Sequence, residues 1–289
     1  MIKRIIEIGV AVPDLKKTGD QLSRILGAQG GSIISGKEFD MRAQMFRVGN
    51  IEFELMEPVN QDSIIAKFLK TRGEGLHHIA LQVEDINETI EWMIRNSVRL
   101  INERPVLVDG FKAAFVHPAS FGGVLLELIE GNPMWVENRE LPVEFQHSHL
   151  SGETGVEGLV NVVTLVEDLE GMTSICSKVF SPENCKIVTS NKYNSRVSLC
   201  RIGNAYLQCL KKGESPGSFN AFFRDNAIGL NHVTMKVRSV ESAMAFLNRE
   251  GINFANDDIG AGLMIDPKEI SGILIRLTEK ATDSLQDPS

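Results

Sequence analysis

One pattern recurs four times along this chain, and a chain that repeats a unit must fold as copies of that unit. The stretch Ile6-Glu-Ile-Gly-Val-Ala-Val-Pro-Asp-Leu15 reads as a strand and a Pro-Asp turn, followed by a helix through Thr18, Leu22 and Ile25 that stops at Gly27. Strands are expected near Gly31 to Ser35, Met41 to Val48 and Ile51 to Met56, the last two joined by Gly49-Asn50, a pair suited to a tight hairpin. The same βαβββ order restarts at Gly75-Leu-His-His-Ile-Ala-Leu-Gln-Val83, with a helix through Ile90 to Ile94 and strands near Val98, Ala113 to Val116 and Val124 to Ile129. In the second half, Gly158-Leu-Val-Asn-Val-Val-Thr-Leu-Val-Glu-Asp-Leu169 echoes the opening strand, and Arg201 to Leu210 echoes Arg47 to Met56. Gly229-Leu-Asn-His-Val-Thr-Met-Lys-Val237 then echoes the stretch from Gly75, and Asp266-Pro267 with Gly272 to Leu277 echoes His117-Pro118 with Gly123 to Leu128. The expected fold class is α+β, with four βαβββ modules in two tandem domains.

The domain boundaries follow from where the pattern lapses. Residues 1–131 hold the first pair of modules and 157–280 the second. Between them, 132–156 runs through Asn132-Pro133, Leu141-Pro142 and the polar stretch His147 to Gly155, which reads as a linker, and 281–289 reads as a flexible tail. At 289 residues and 43% hydrophobic content the chain can build both cores. A net charge of -8 without a Lys/Arg cluster argues against a nucleic-acid groove or an anionic membrane surface. No apolar run approaches the roughly 18 residues of a membrane span, and the expected location is the cytoplasm. Cys176, Cys185, Cys200 and Cys209 all fall in the second half with no C-x-x-C spacing, so reduced, mostly buried thiols are expected.

Alternation along the strands picks out candidate site residues. Glu7 shares a face with Gly9 and Ala11, opposite Ile6, Ile8 and Val10; Glu54 opposes Phe53 and Leu55; His78 opposes Ile79 and Leu81; Glu127 opposes Leu126 and Leu128. All four point away from the apolar layer. The plain alternative for each acid is a strand residue facing water. Three carboxylates gathered in one concavity would repel each other and resist desolvation unless a cation joined them.

These residues carry a resemblance. Paired βαβββ modules opening on Ile-Gly-Val-Ala-Val-Pro-Asp-Leu, then Gly-Leu-His-His-Ile-Ala, His-Pro-x-Ser and Gly-Val-Leu-Leu-Glu-Leu resemble the vicinal-oxygen-chelate (glyoxalase/bleomycin-resistance) superfamily. Within it, Asp62 to Ile79 looks most like the methylmalonyl-CoA epimerase family, with close resemblance over about residues 1 to 131. The resemblance implies that each pair of modules curls into a cupped half-barrel with one divalent metal in the cup. It places metal ligands at Glu7, Glu54, His78 and Glu127, where Glu7 stands at a position the family usually fills with His. Cobalt, manganese, nickel, zinc and magnesium are not separated by these residue types.

The activity implied is epimerisation or racemisation of a small acyl-CoA such as methylmalonyl-CoA, by proton abstraction α to the thioester, with Glu127 and Glu54 as catalytic candidates. Inversion needs an acid and a base on opposite faces of the carbon. The family's second acid falls at about Ala43, where none stands; Gln44 cannot take a proton, and Glu38 or Asp40 substitutes only if the strand shifts register. The alternatives are a glyoxalase-type isomerase or lyase and a non-catalytic small-ligand binding protein. In the second half the corresponding positions hold Asn161, Gln208, His232 and Arg276, so no metal is expected there. Arg276, His232 and Lys236 share a face that is open to an anion. His147 and His149 are expected to be exposed, and Trp92 and Trp135 to pack in the core or an interface. The expected partners are a small molecule, possibly an acyl-CoA, and no nucleic acid or membrane; the two halves form a pseudo-dimer, with a homodimer also open.

Overall fold

A computed structural model describes residues 2–36, 40–108, 110–131, 153–190, 195–213, 228–257 and 262–280. The first module runs through β1 (Ile2–Ala11), α1 (Leu15–Leu26), β2 (Gln29–Gly36), β3 (Met41–Val48) and β4 (Ile51–Pro58), after which α2 (Ile64–Arg72) leads to the second. That comprises β5 (Gly75–Val83), α3 (Ile86–Arg95), β6 (Val106–Val108), β7 (Phe111–Val116) and β8 (Leu125–Glu130). The third holds β9 (Val156–Val166), α4 (Leu169–Phe180), β10 (Cys185–Ser190), β11 (Ser195–Ile202) and β12 (Ala205–Lys211). The fourth holds β13 (Gly229–Val237), α5 (Val240–Arg249), β14 (Phe254–Asp257), β15 (Gly262–Ile265) and β16 (Ile275–Thr278). Two eight-stranded sheets result, ordered β2-β3-β4-β1-β5-β8-β7-β6 and β10-β11-β12-β9-β13-β16-β15-β14. The orders are identical once the modules are superposed, as expected of two tandem α+β domains. Among the described residues no helix is long and apolar enough to cross a membrane.

Local chemistry explains why each module turns where it does. Shortly after the strand that opens each module comes Asp14, Asp85, Asp168 or Ser239, whose side chain accepts a hydrogen bond from the backbone N–H three residues on and caps the helix. Such a cap contributes about 1 kcal/mol. The strand expected near Val98 lies instead at Val106–Val108. Ser97 leaves α3 with a φ of 59°, and the Val98 N–H bonds back to the Met93 carbonyl, so Val98 closes the helix and buries its side chain there. The expected linker lies outside the described residues up to position 152, as do the tail from 281, Glu38, Trp135, His147 and His149. Trp92 packs against the core.

The halves pack into one continuous apolar core, which takes in Ile8, Phe53 and Leu81 from the first and Val162, Leu207 and Met235 from the second. Reciprocal hairpin contacts help to fix their relation. Asn50, at the tip of the β3–β4 hairpin, accepts from the Leu159 N–H at 2.8 Å. Asn204, at the tip of the β11–β12 hairpin, accepts from the Ile5 N–H and donates to the Ile5 carbonyl, each at 3.2 Å. Leu159 and Ile5 occupy matching positions on β9 and β1, so each hairpin grips the first strand of the other half. The neighbouring glycines are needed for this approach: a Cβ on Gly49 would stand 2.4 Å from the Glu157 carbonyl oxygen, and one on Gly203 2.2 Å from that of Lys3. The arrangement is a pseudo-dimer within one chain.

Candidate metal centre

Strand register brings the four predicted side chains together on the concave face of the first sheet. β1 is the hub, running parallel to β4 with Gly9 beside Glu54 and antiparallel to β5 with Glu7 beside Ala80 and Gly9 beside His78. β8 lies beyond β5 with Glu127 beside Ala80. Directly paired residues share a face, so Glu7, Glu54, His78 and Glu127 converge. His78 Nε2 stands 3.4 Å from Glu7 Oε1, 3.7 Å from Glu54 Oε2 and 3.2 Å from Glu127 Oε2. One ligand-capable atom from each of Glu7, Glu54 and His78 lies within 4.8 Å of the others, so this group can hold a metal ion.

Two glycine and bulge features aim the imidazole. A Cβ on Gly9 would stand 2.1 Å from His78 Cε1, so the ring lies flat over β1 only because that position is bare. On β5, His78 pairs with Gly9 and Leu76 with Val10, which leaves His77 as the extra residue of a β-bulge. Strict alternation would send His77 to the side of Ile79; the bulge brings its ring to the cavity instead, with Nδ1 3.0 Å from His78 Nδ1. His77 was not legible as a site residue. Its ring stacks edge-on with Phe68, and burial, with the neighbouring His78, lowers its pKa to about 3, so it remains neutral. It thereby orients His78 from behind, as a ligand histidine's second nitrogen commonly requires.

Burial shapes the electrostatics. Desolvation raises the pKa of Glu7, as does Glu127, while His78 opposes the rise. Desolvation lifts Glu54 well above the carboxylate range, with Glu7 adding to it. Burial resists a charge on His78, but the surrounding Glu127, Glu7 and Glu54 outweigh it and lift the pKa to about 10. Glu52, which shares the concave face with Glu54 and was not singled out in the sequence, is held by Arg47 at 2.6 Å. The site opens into a cavity of about 220 Å³ whose other walls are mostly apolar, among them Met41, Ala43, Met56 and Ile65. A second cavity of about 240 Å³ lies between the halves and meets the first at His77 and Leu125.

Apart from Glu7 and Glu54, which share its floor, no second acid lines this cavity with Glu127 among the described residues. Ala43 lines it, Gln44 donates to the Gly31 carbonyl at 2.8 Å, and Asp40 is exposed. The second sheet keeps the scaffold and loses the carboxylates. Asn161 Nδ2 donates to Gln208 Oε1 at 2.8 Å, and His232 repeats the bulge, with Asn231 as the extra residue and its Oδ1 2.9 Å from His232 Nδ1. The anion-receiving face expected there does not form, because Arg276 is ion-paired with Asp257 and Lys236 with Glu157.

A model of the Glyoxalase/Bleomycin resistance protein/Dioxygenase superfamily matches residues 7–115. The mitochondrial methylmalonyl-CoA epimerase of Homo sapiens is 35% identical over 127 residues, 43% of this chain and 72% of that protein. The ethylmalonyl-CoA/methylmalonyl-CoA epimerase of Cereibacter sphaeroides is 32% identical over 131 residues, 44% of this chain and 98% of that protein. Among solved structures, methylmalonyl-CoA epimerase from Mycobacterium tuberculosis is 29% identical with a TM-score of 0.43, covering 46% of this chain and 90% of that one. With the epimerase likeness carried by its first half, this chain belongs to the glyoxalase/bleomycin resistance/dioxygenase superfamily.

Proposed function

We propose that the first half is a divalent-metal-dependent isomerase that moves a proton α to the thioester of a small acyl-CoA, with a malonyl-type ester such as methylmalonyl-CoA as substrate. The observation that carries this reading is the convergence of Glu7, Glu54 and Glu127 on His78 at the floor of an otherwise apolar cavity. The donor set fits a metal: Glu7 Oε2 and His78 Nε2 are buried with no well-aligned hydrogen bond, an expensive state unless a cation joins them. Glu7, Glu54, His78 and Glu127 would hold it. A divalent ion there supplies the positive charge that stabilises a developing enolate oxygen.

The chain's own residues do the rest. Glu127 accepts the α-proton and returns it from the same side. Met41, Ala43, Met56 and Ile65 exclude water from the opposite side and offer it no proton donor. Exchange of the α-proton should therefore outrun inversion, since missing acid-base assistance costs about 10²- to 10⁴-fold. The adjoining cavity gives a long thioester arm a path between the halves, and the second half stands where a partner subunit would. Solvent deuterium incorporation and epimerisation, both followed on methylmalonyl-CoA with metal-loaded protein, test the reading. Incorporation faster than inversion, both lost in Glu127→Gln, is expected; neither reaction on any short malonyl-type thioester would overturn it.

The lack of an acid at Ala43 favours one further reading. A glyoxalase-type isomerisation, in which one group removes a proton and returns it to the adjacent carbon on the same face, needs no second acid. Turnover of a glutathione hemithioacetal in place of malonyl-type thioesters would select it.

A further inference from the structure

The four cysteines, scattered between positions 176 and 209, meet in one place. Cys185 and Cys200 are directly opposed on the antiparallel strands β10 and β11. Cys200 also lies two residues from Ser198, whose hydroxyl is 3.9 Å from its Sγ, and Ser198 in turn opposes Cys209 on β12. Cys176 reaches down from α4, and the thiols form a hydrogen-bonded chain from Cys185 to Cys200, then Cys176, then Cys209. Cys176, Cys200 and Cys209 are fully buried, whereas Cys185 opens the sheet's edge strand and is only half-buried. A chain of thiols is a poor tetrahedral metal cage, which would need every sulfur near every other. It is a good geometry for a dithiol, because directly opposed residues of an antiparallel pair have Cα atoms about 4.5 or 5.5 Å apart, inside the window a disulfide spans.

We propose that Cys185 and Cys200 form an oxidisable dithiol site whose co-substrate is a small-molecule disulfide. Cys185 is the only one of the four that a reagent can reach from solvent without unfolding the sheet. Its thiolate attacks one sulfur of the small disulfide RSSR, forming a mixed disulfide and releasing RS⁻. The Cys200 thiolate then attacks Cys185 Sγ, closing the Cys185–Cys200 bond and releasing the second RS⁻. The two protons given up by the cysteines end on the two RSH products; the cysteine sulfurs are oxidised and the small disulfide is reduced. In the resting cluster hydrogen bonds from Cys176 and Cys185, aided by Ser198, hold Cys200 below the ordinary thiol range, and those from Cys176 and Ser198 remain once Cys185 is a mixed disulfide; the Cys185 thiol is raised, which makes its attack the slower step.

The test incubates the folded full-length protein with oxidised glutathione, quenches with acid, alkylates, and maps peptides without reduction. Titratable thiols should fall from four to two, with Cys185 linked to Cys200 and no glutathione retained. Cys200→Ser should stop at a stable glutathione adduct on Cys185, and Cys185→Ser, which leaves the buried cluster intact, should keep all its thiols while folded. A glutathione adduct persisting on Cys185 of the unaltered protein would overturn the proposal, as would a link to Cys176 or Cys209. So would the survival of all four thiols in the folded chain at a glutathione potential that oxidises a reference dithiol.

Discussion

Substituting Gly9 by alanine isolates the feature that places the candidate ligand histidine. Gly9 sits in ordinary strand conformation, so alanine loses nothing on backbone grounds. The added Cβ meets His78 Cε1 at 2.1 Å and Nδ1 at 2.2 Å, against an ordinary contact of about 3.4 Å, so the ring must retreat by roughly 1.3 Å. Nε2 now stands 3.2 to 3.7 Å from three carboxylates, and a shift of that size takes it out of a shared coordination sphere. Misplacement by about 1 Å can cost catalysis on the order of 10²-fold, and a comparable loss of affinity is about 2.8 kcal/mol at 1.4 kcal/mol per tenfold. Calorimetric titration with a divalent ion should show that loss. Fold stability should drop by the about 1–3 kcal/mol of an overpacked site, measured by urea denaturation. In a His78→Ala background the clash has no partner, so the same Gly9→Ala change should cost close to nothing. An unchanged metal affinity, or an equal stability penalty in both backgrounds, would refute the placement of the ring.

Other outcomes can be checked directly. Protein purified without chelator should carry close to one divalent ion per chain by elemental analysis, and His78→Ala should carry none; two ions would mean that the second sheet also binds. Asn204→Ala removes both hydrogen bonds that hold the β11–β12 hairpin to Ile5, and should lower the urea midpoint by an amount equivalent to about 1–3 kcal/mol without changing metal content. Burial and Arg276 lower the folded pKa of His232 to about 3, so the unfolded chain binds the proton first as pH falls below about 6.5. Stability from this residue is therefore present at neutral pH and lost toward pH 3, by about 1.4 kcal/mol per unit. Between pH 7 and 4.5 the chain should lose roughly 2–3 kcal/mol more than His232→Gln.

What the sequence disclosed and what it hid divide along the range of the interactions. Alternation is local, and it placed Glu7, Glu54, His78 and Glu127 on one face of their strands. The repeat then showed which strands open and close each module, while their pairing order came from the structure. His77 was hidden because a bulge depends on how β5 meets β1, and nothing in Gly-Leu-His-His states where the extra residue falls. The cysteines were hidden for a similar reason: Cys185 and Cys200 become neighbours only through the β10–β11 register, which spacing along the chain does not encode. Gly49-Asn50 was legible as a turn, but its grip on Leu159 requires the other half to be in place. Val98 was misassigned because a β-branched residue after a helix reads as a strand, while here it serves as the helix's closing contact.

The two halves also show how one scaffold meets the same electrostatic problem in two ways. Both sheets fold a bulge before a buried histidine, and both would bury several polar groups in the cup beside it. In the first, three carboxylates face that histidine, which they hold in its charged form, and burial and mutual repulsion push two of them upward. In the second, the position of Glu127 is taken by Arg276, which brings its own positive charge and pairs with Asp257, while Asn161 Nδ2 donates to Gln208 Oε1 and Asn161 Oδ1 stays buried without a hydrogen bond. A cup closed by such internal pairing has no electrostatic need for an ion and every reason to be rigid. Duplication thus allows one half to carry a crowded cluster of buried carboxylates while the other, whose buried Arg276 and Asp257 pair internally, shares the core with it.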